Sequence, residues 1–175
     1  EGVESWGEMY RSVVSYFDSE VDPVVFVLTK EWSNGSVIKI FRSDDLGENF
    51  HPVYSTSLSS EKAYDIWTDR YSPSDVFFLN NGDLYSISIS DNTLSLLGSA
   101  GLSNQGENIL SAGKDNDNNG LFHFHAKIGD RLYVSNNNGI SWNDKGVLPS
   151  YTFSRNSFNG SYDNQNIVAI GGIDL

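Results

Sequence analysis

The segment 115–120 contains residue types that bind calcium. It fits the pattern Asp-x-Asp-x-Asn-Gly, with the matching oxygen ligands at Asp115, Asp117 and Asn119. Alternate carboxylate and amide oxygens begin a calcium loop, and glycine allows the bend that lets the ligands converge. The later ligands are missing, because His123 stands at the ninth position and Ala126 at the twelfth. A solvated loop between strands is therefore the favoured interpretation, Ca²⁺ binding is the alternative, and we expect no cofactor to be required.

Two histidines lie in an apolar segment at a spacing that suits a metal. If His123 and His125 are in a strand, both point to one face of the sheet, and Phe122 and Phe124 point to the other. Two imidazoles can bind a metal, but the sequence shows no third ligand. Histidines packed within the sheet are the favoured interpretation.

Carboxylates suited to glycoside hydrolysis are present, but no pair stands out. That reaction needs two carboxyl groups facing each other across the scissile bond. The aspartates near the ends of predicted strands are Asp22, Asp65, Asp69 and Asp163. Nothing in the sequence selects two of them, so the catalytic residues, if the chain is an enzyme, stay unknown.

Four aromatic residues in predicted loops are candidates for ligand contacts. Their rings can stack on the apolar face of a sugar or anchor a protein partner. They are Trp32, Tyr71, Tyr151 and Tyr162. Trp67 lies in an alternating segment instead, and we expect it in the core.

The elements that position these residues read as short antiparallel strands. Apolar or alternating runs are separated by clusters of Gly, Asn, Asp and Ser, and no run has the 3.6-residue period and caps of a helix. In one stretch the predicted strands are roughly 108–112, 121–126, 131–135 and 141–147. The sequence therefore predicts an all-β protein.

Two octets share one template, Ser-x-(Asp/Asn)-x-Gly-x-polar-aromatic, and each follows an apolar strand. Octet 1 is Ser43–Phe50 and octet 2 is Ser135–Trp142. Each predicts a tight turn in which Ser and Asp or Asn bond to nearby backbone groups, Gly has a positive φ, and the aromatic returns to the core. We assign a structural role to the template residues, which are Ser43, Asp45, Gly47, Phe50, Ser135, Asn137, Gly139 and Trp142. The final aromatics are 92 residues apart (50 to 142), which suggests two repeats of about 46 residues.

The octets resemble the Asp-box (BNR) repeat of sialidase-like, sortilin-like and xyloglucanase-like β-propellers, with Asn137 in place of the characteristic aspartate of the box. The resemblance implies blades of four antiparallel strands. The expected divisions are an outer strand of a preceding blade (1–9), blade 1 (10–55, Asp-box 43–50), blade 2 (56–101, degenerate box), blade 3 (102–148, Asp-box 135–142) and a partial blade 4 (149–175). We expect an incomplete part of a ring of about six to ten blades, with further blades from the same longer chain or another subunit.

Composition narrows the possible partners. The formal net charge of −12 disfavours nucleic acid, whose phosphates would be repelled. No apolar run is long enough for a membrane span, so no membrane insertion is expected. The chain has no cysteine, which excludes disulfides and thiolate metal sites. The resemblance implies an extracellular or cell-surface location, with any signal sequence outside this segment.

The resemblance leaves several functions open. The favoured hypothesis is a non-catalytic extracellular recognition module that binds a glycan or a protein through the loop face of the propeller. The alternatives are a segment of a sialidase-like or xyloglucanase-like glycoside hydrolase with catalytic residues partly outside this chain, and a structural spacer of a large surface protein. Sialidases need three converging arginines, and Arg42 and Arg131 lie in third strands, which is a poor location for a central pocket.

Overall fold

The computed structural model describes residues 8–15, 23–31, 37–56, 65–69, 74–101, 108–115, 121–148, 158–160 and 168–170. These residues form fourteen β-strands and no helix. Within this part of the chain, therefore, no helix long and apolar enough to cross a bilayer is present. The all-β prediction is confirmed.

Three four-stranded antiparallel sheets follow one another along the chain, and in each the spatial order of the strands is their sequence order. Sheet 1 contains β1 (Glu8–Ser15), β2 (Val24–Glu31), β3 (Val37–Ser43) and β4 (His51–Ser55). Sheet 2 contains β5 (Asp65–Thr68), β6 (Asp75–Asn80), β7 (Asp83–Ser88) and β8 (Leu94–Ser99). Sheet 3 contains β9 (Asn108–Asp115), β10 (Leu121–Ile128), β11 (Arg131–Ser135) and β12 (Asn143–Val147). A two-stranded pair, β13 (Phe158–Gly160) and β14 (Val168–Ile170), comes last.

Some strand ends differ from the expected ones. β1 begins two residues before the expected start of the first repeat, because Glu8 and Met9 pair with Lys30 and Thr29 of β2. β10 continues to Ile128, where the ladder to β9 is still intact. β12 begins at Asn143 rather than at residue 141.

The three sheets share one pairing register between their third and fourth strands. In each, the last strand has a β-bulge at which one residue has no pairing partner in the third strand, and these residues are Val53, Leu97 and Lys145. An aromatic residue of the third strand flanks the bulge each time, namely Phe41, Tyr85 and Tyr133. Both sets are separated by 44 residues (53 to 97, 41 to 85) and then by 48 (97 to 145, 85 to 133). A bulge increases the local twist of a strand, so the sheets bend at equivalent points.

A hydrogen bond at the end of each sheet has the same repeat. The residue just after the fourth strand donates its N–H to a carbonyl within one residue of the start of the third strand. The bonds are Thr56 to Ile38 (3.1 Å), Ala100 to Gly82 (2.8 Å) and Leu148 to Asp130 (2.7 Å). The donors are again 44 residues (56 to 100) and 48 residues (100 to 148) apart. The sheets are therefore structural repeats.

The sheets pack face to face, and sheet 2 uses both of its faces. Along β6, Val76 and Phe78 belong to one apolar cluster while Phe77 and Leu79 belong to another, because successive side chains of a strand point to opposite faces. Cluster 1 joins sheets 1 and 2 and includes Val24, Phe26, Leu28, Ile38, Ile40, Ile66, Val76, Phe78, Ile87 and Ile89. Cluster 2 joins sheets 2 and 3 and includes Phe77, Leu79, Leu84, Leu110, Ala112, Phe124, Ala126, Ile128 and Tyr133.

The first strands of successive units contact one another, β1 with β5, β5 with β9, and β9 with β13. β5 and β9 run in the same direction. Near their starts, the Asp65 carboxylate accepts the Leu110 N–H at 3.1 Å, and at their ends Lys114 Nζ lies 3.9 Å from Asp69 Oδ2. The sheets are thus arranged with their first strands side by side.

Candidate functional site

Octet 1 forms the turn between β3 and β4, and side chains make most of its hydrogen bonds. Ser43 Oγ donates to Asp45 Oδ1 at 2.7 Å and accepts the Gly47 N–H at 2.9 Å. Asp45 then accepts the backbone N–H of Asn49 at 2.9 Å and its side-chain amide at 2.7 Å. Two short side chains therefore hold backbone groups that a turn of this length leaves without strand partners.

Octet 2 forms the turn between β11 and β12, and it has the same hydrogen bonds to backbone N–H groups as octet 1. Ser135 Oγ donates to Asn137 Oδ1 at 3.0 Å and accepts the Gly139 N–H at 3.0 Å. Asn137 Oδ1 accepts the Ser141 N–H at 3.0 Å, while its Nδ2 donates to Ser141 Oγ at 2.9 Å. Asn137 Oδ1 thus accepts the same two hydrogen bonds as Asp45 Oδ1 without a charge, whereas the side-chain bond to the residue four positions later has the opposite direction. The bond at Ser141 explains why β12 begins only at Asn143.

Charge is the main difference between the two turns. Hydrogen bonds from the Asn49 backbone, the Ser43 hydroxyl and the Asn49 side chain lower the pKa of the Asp45 carboxyl from its ordinary value of 3.8 to about 2. Donors that bond to the ionised form stabilise it. The neutral amide of Asn137 has no equivalent titration.

Both octets place two consecutive residues in the left-handed region. The φ angles are 61° at Leu46 and 93° at Gly47, and 59° at Asn138 and 81° at Gly139. Glycine adopts this conformation without strain, whereas leucine does not. The Asn138 carboxamide also accepts the Phe122 N–H at 2.7 Å, which joins octet 2 to the start of β10.

The turns between the third and fourth strands also pack against the neighbouring sheet. Arg42 of sheet 1 donates from Nη1 to the Ile89 carbonyl and to Asn92 Oδ1 (2.7 Å) in the β7–β8 turn of sheet 2. At the next interface, octet 2 approaches sheet 2 so closely that a Cβ at Gly98 would overlap the carbonyl oxygen of Gly139. These turns therefore hold neighbouring sheets together.

The aromatic position of the template differs among the repeats. Trp142 packs at the edge of cluster 2 with its ring 6.4 Å from that of Phe124. Leu94, at the equivalent place in sheet 2, is 42% exposed. The turn there is still closed, since Asp91 accepts the Thr93 N–H at 3.0 Å. The β7–β8 turn is therefore closed by a side chain, but Leu94 does not make the core contact that Trp142 makes.

The histidines lie on one face of β10, as the two-residue spacing predicts. The rings of His123 and His125 are 5.4 Å apart and both side chains are buried, while Phe124 is in cluster 2 on the opposite face. Among the described residues, no group of three or more His, Cys, Asp or Glu side chains is placed to bind a metal. The calcium candidates Asp117 and Asn119 lie outside the described residues, and of Asp115 only the strand position is described.

The two described aspartate candidates for catalysis are both in β5 or next to it, and both are 1% exposed. The Asp65 carboxylate accepts two backbone N–H groups, from Ile66 (3.0 Å) and from Leu110 (3.1 Å). Asp69 faces Lys114 of β9. These carboxylates join first strands of neighbouring sheets, whereas Asp22 and Asp163 lie outside the described residues.

All four aromatic ligand candidates, Trp32, Tyr71, Tyr151 and Tyr162, also lie outside the described residues, but the topology fixes the flanking strand ends. We call the end of each sheet at which the third strand turns into the fourth its octet end. In an antiparallel sheet, the connection between the first and second strands lies at this same end. The connection between the second and third strands lies at the opposite end. Tyr71 therefore falls in a connection at an octet end, and Tyr162 falls between β13 and β14, the only two strands described for the last sheet. Trp32 and Tyr151 fall in connections at opposite ends.

Trp67 packs with cluster 2, as expected, at 5.7 Å from the Phe77 ring. Sequence reasoning missed the roles of Arg42 and Asp65 as links between sheets. The available signal for Arg42 was its place directly before octet 1, where its side chain can reach the neighbouring turn.

Neither a scan against protein-family models nor a search of the curated proteins finds a match to this chain.

Proposed function

We propose that this chain forms blades of an Asp-box β-propeller that serves as a non-catalytic extracellular recognition module for a glycan or a protein. The observation that carries this proposal is the shared hydrogen bonding of octets 1 and 2, within sheets whose third and fourth strands pair in the same register. In a β-sandwich without internal repeats, the turn, the bulge and the terminal hydrogen bond would not be expected to recur at the same intervals.

The placement of the first strands supports a propeller arrangement. In a propeller, four-stranded blades surround a central channel, and their innermost strands are neighbours. β1, β5, β9 and β13 contact one another in that order, and cluster 1 and cluster 2 fill the spaces between successive sheets. Further blades, from this chain's parent or from another subunit, would complete the ring.

The state of Asp65 and Asp69, the two described aspartate candidates, supports a binding role over a hydrolytic one. A glycosidase acid must reach the glycosidic oxygen of its substrate. Asp65 and Asp69 are buried and engaged with the backbone or a lysine of the neighbouring strand. Neither is arranged to donate a proton to a sugar.

The opposite ends of the sheets are the proposed ligand face, because the octet ends are occupied by packed turns. Trp32 and Tyr151 fall in connections at this face, and their rings would stack on the ligand. Because the chain carries a net charge of −12, an anionic ligand would be repelled, and a neutral oligosaccharide is the first class to test.

The test is a binding screen of the chain on an array of neutral and acidic oligosaccharides, followed by calorimetry on the best ligand. Trp32→Ala and Tyr151→Ala should each weaken binding by about tenfold or more, given what stacked aromatics contribute to hot spots. Tyr71→Ala, at an octet end, and Tyr162→Ala, between β13 and β14, are the matched controls and should leave the affinity unchanged.

Equal losses in all four variants would contradict the assignment of the ligand face. Turnover of a bound oligosaccharide would instead favour the glycoside hydrolase alternative. A chain that binds neither glycans nor proteins extracted from a cell surface would favour the spacer alternative.

A further inference from the structure

The fourth strands β4, β8 and β12 are the outer edges of their sheets, and they differ at one equivalent position. Pro52 pairs with Phe41 directly before the bulge, Leu96 pairs with Tyr85, and Asp144 pairs with Tyr133. The spacings of 44 (52 to 96) and 48 (96 to 144) match the structural repeat. The three sheets can therefore be compared at this site residue by residue.

Two of the three edges carry features that oppose pairing with another strand. Pro52 has no N–H to donate from β4. β12 carries Asp144 and Lys145, and Asp144 forms an ion pair with Arg131 at 2.7 Å. Proline and charge are the usual protections of an exposed sheet edge.

β8 has neither feature. Its sequence contains no charged residue and no proline, and Leu94 and Leu96 are 42% and 59% exposed. Both leucines lie on the same face of the strand, where they pair with Ile87 and Tyr85. This is the one described fourth strand that offers an uncharged apolar edge.

The backbone groups of these two leucines point away from the sheet. The Ser88 N–H donates to the Thr93 carbonyl at 3.0 Å, so Thr93 is in a hydrogen-bonded pair with β7. Such pairs alternate along an antiparallel ladder, which makes Ser95 the next one and directs the N–H and C=O of Leu94 and Leu96 outward. An added strand would find donors and acceptors at the two exposed leucines.

We propose that β8 is a docking edge for a second copy of this chain, whose own β8 adds antiparallel to it. A two-fold axis at Ser95 sets Leu94 of each copy opposite Leu96 of the other. This places two Leu–Leu pairs side by side, and each pair exchanges both of its main-chain hydrogen bonds. The strand has no charged side chain that this pairing would place at the seam, whereas in β12 Asp144 and Lys145 would lie there.

The net charge of each copy, −12, opposes association at long range. Screening by salt reduces repulsion between exposed charges. The proposed dimer should therefore strengthen as the ionic strength rises, which is the opposite of an association driven by salt bridges.

A disulfide provides the sharpest test, because the chain has no cysteine of its own. In the proposed pairing Ser95 faces its own symmetry mate in a non-hydrogen-bonded pair, with Cα atoms about 4.5 Å apart. That distance lies within the range of disulfides. Under mild oxidation the Ser95→Cys variant should form a covalent dimer in high yield. The Ser99→Cys variant should not, because Ser99, also exposed on β8, would be about 27 Å from its mate at the rise of a strand.

The residues that sheets 1 and 3 carry at the position equivalent to Leu96 can be introduced into β8 to test its role as a docking edge. Leu96→Pro copies Pro52 and Leu96→Asp copies Asp144, and each should weaken dimerisation by about tenfold or more because the change occurs twice per dimer. Val147→Asp, at a 61% exposed residue on the edge of sheet 3, is the control and should leave it unchanged. Sedimentation from about 10 to 500 µM would give the dissociation constants, and circular dichroism would check folding.

A monomer at all concentrations, with the Ser95→Cys variant forming no more covalent dimer than the Ser99→Cys variant, would overturn the proposal. So would a dimer that Val147→Asp weakens as much as the Leu96 variants do. Neither result depends on which ligand the opposite ends of the sheets bind, so failure here would leave the proposed function standing.

Discussion

Asp45 and Asn137 show that the third position of the octet needs an acceptor more than it needs a charge. Each side-chain oxygen accepts the N–H four residues later, at 2.9 Å in octet 1 and 3.0 Å in octet 2. An asparagine makes the same turn with its amide nitrogen bound to Ser141 Oγ. The substitution changes how the turn responds to pH, and the backbone geometry is kept.

Octet 1 should lose stability in acid while octet 2 should not. The folded pKa of Asp45, about 2, is below the ordinary value of 3.8. The stabilisation from its ionised form is therefore fully present above pH 3.8, and it is lost as the pH falls to about 2. Asp45→Asn should remove this part of the pH dependence, as measured by unfolding midpoints between about pH 5 and pH 2.

The two octets provide matched grafts for this experiment. Asp45→Asn combined with Asn49→Ser copies octet 2 into sheet 1 and keeps a hydroxyl acceptor for the new amide. Asn137→Asp should do the reverse and add a new acid-sensitive step in sheet 3. An unchanged pH profile in both variants would show that the turn carboxylate does not affect folding.

The two octet glycines should differ in sensitivity to alanine. Gly47 has a positive φ but its nearest prospective neighbour is a Phe50 ring atom at 3.8 Å, so Gly47→Ala meets only backbone strain, about 1–2 kcal/mol. Gly139 has the same kind of φ, and a Cβ there would overlap Leu84. Gly139→Ala should cost about 1–3 kcal/mol more.

Urea unfolding would measure this difference. Gly101→Ala is a useful reference, since its φ of 72° would strain an alanine but no atom lies within 4 Å of a new Cβ. If Gly139→Ala costs no more than Gly101→Ala, octet 2 does not pack on sheet 2 as tightly as described.

At the scale of elements, Arg42 is a link between two sheets and Arg131 is not. Arg42 is 13% exposed and contacts Asp44 of its own turn as well as the β7–β8 turn of sheet 2. Arg131 and Asp144 belong to the same sheet, and both are 40% exposed. Arg42→Ala should lower the free energy of unfolding by about 1.5–3 kcal/mol, because it leaves polar groups of the neighbouring turn unbonded.

Arg131→Ala is the control for that variant. An exposed ion pair contributes about 0–1 kcal/mol, so its removal should have a small effect on the unfolding free energy. Equal losses in the two variants would mean that Arg42 acts within sheet 1 alone.

Local patterns were sufficient to predict many elements of this fold. Alternation and turn residues predicted strands near residues 108–112, 121–126 and 131–135, and these became parts of β9, β10 and β11. The two-residue spacing of His123 and His125 correctly placed both on one face of β10. These features depend on contacts between residues close in sequence or on the fixed period of a strand.

The contacts between sheets could not be predicted in the same way. Asp65 and Leu110 are 45 residues apart, and no local pattern indicates that a buried carboxylate will bond to a backbone N–H of the next sheet. The bulges at Val53, Leu97 and Lys145 have no shared residue type. Nothing in the local sequence separates the four aromatic ligand candidates, whereas the topology places Tyr71 at an octet end and Trp32 at an opposite end.

At the scale of the whole molecule, sheet 2 is the element on which the described fold depends most. Phe78 is fully buried in cluster 1, which it shares with β2 and β3 of sheet 1. Phe78→Ala should cost about 3–5 kcal/mol through lost contacts and the remaining cavity. Amide hydrogen exchange should accelerate in β2 and β3 as well as in β6.

Leu94→Ala is a control on the same sheet, since Leu94 is exposed and outside both clusters. It should leave exchange rates in sheet 1 unchanged. Faster exchange confined to β6 in the Phe78 variant would mean that the sheets open independently.

The two repeat intervals, 44 and 48 residues, have a consequence for how this architecture can change over generations. Thr68 of β5 pairs with Val76, and the equivalent pair in sheet 3 is Ala112 with Phe124, so the four additional residues fall between Ala112 and Phe124. After these four residues, the bulge and the terminal hydrogen bond of sheet 3 are placed as they are in sheet 2. Insertions and deletions in this connection between the first and second strands should therefore be tolerated during evolution. A foreign epitope could also be inserted there without changing the pairing of the remaining strands.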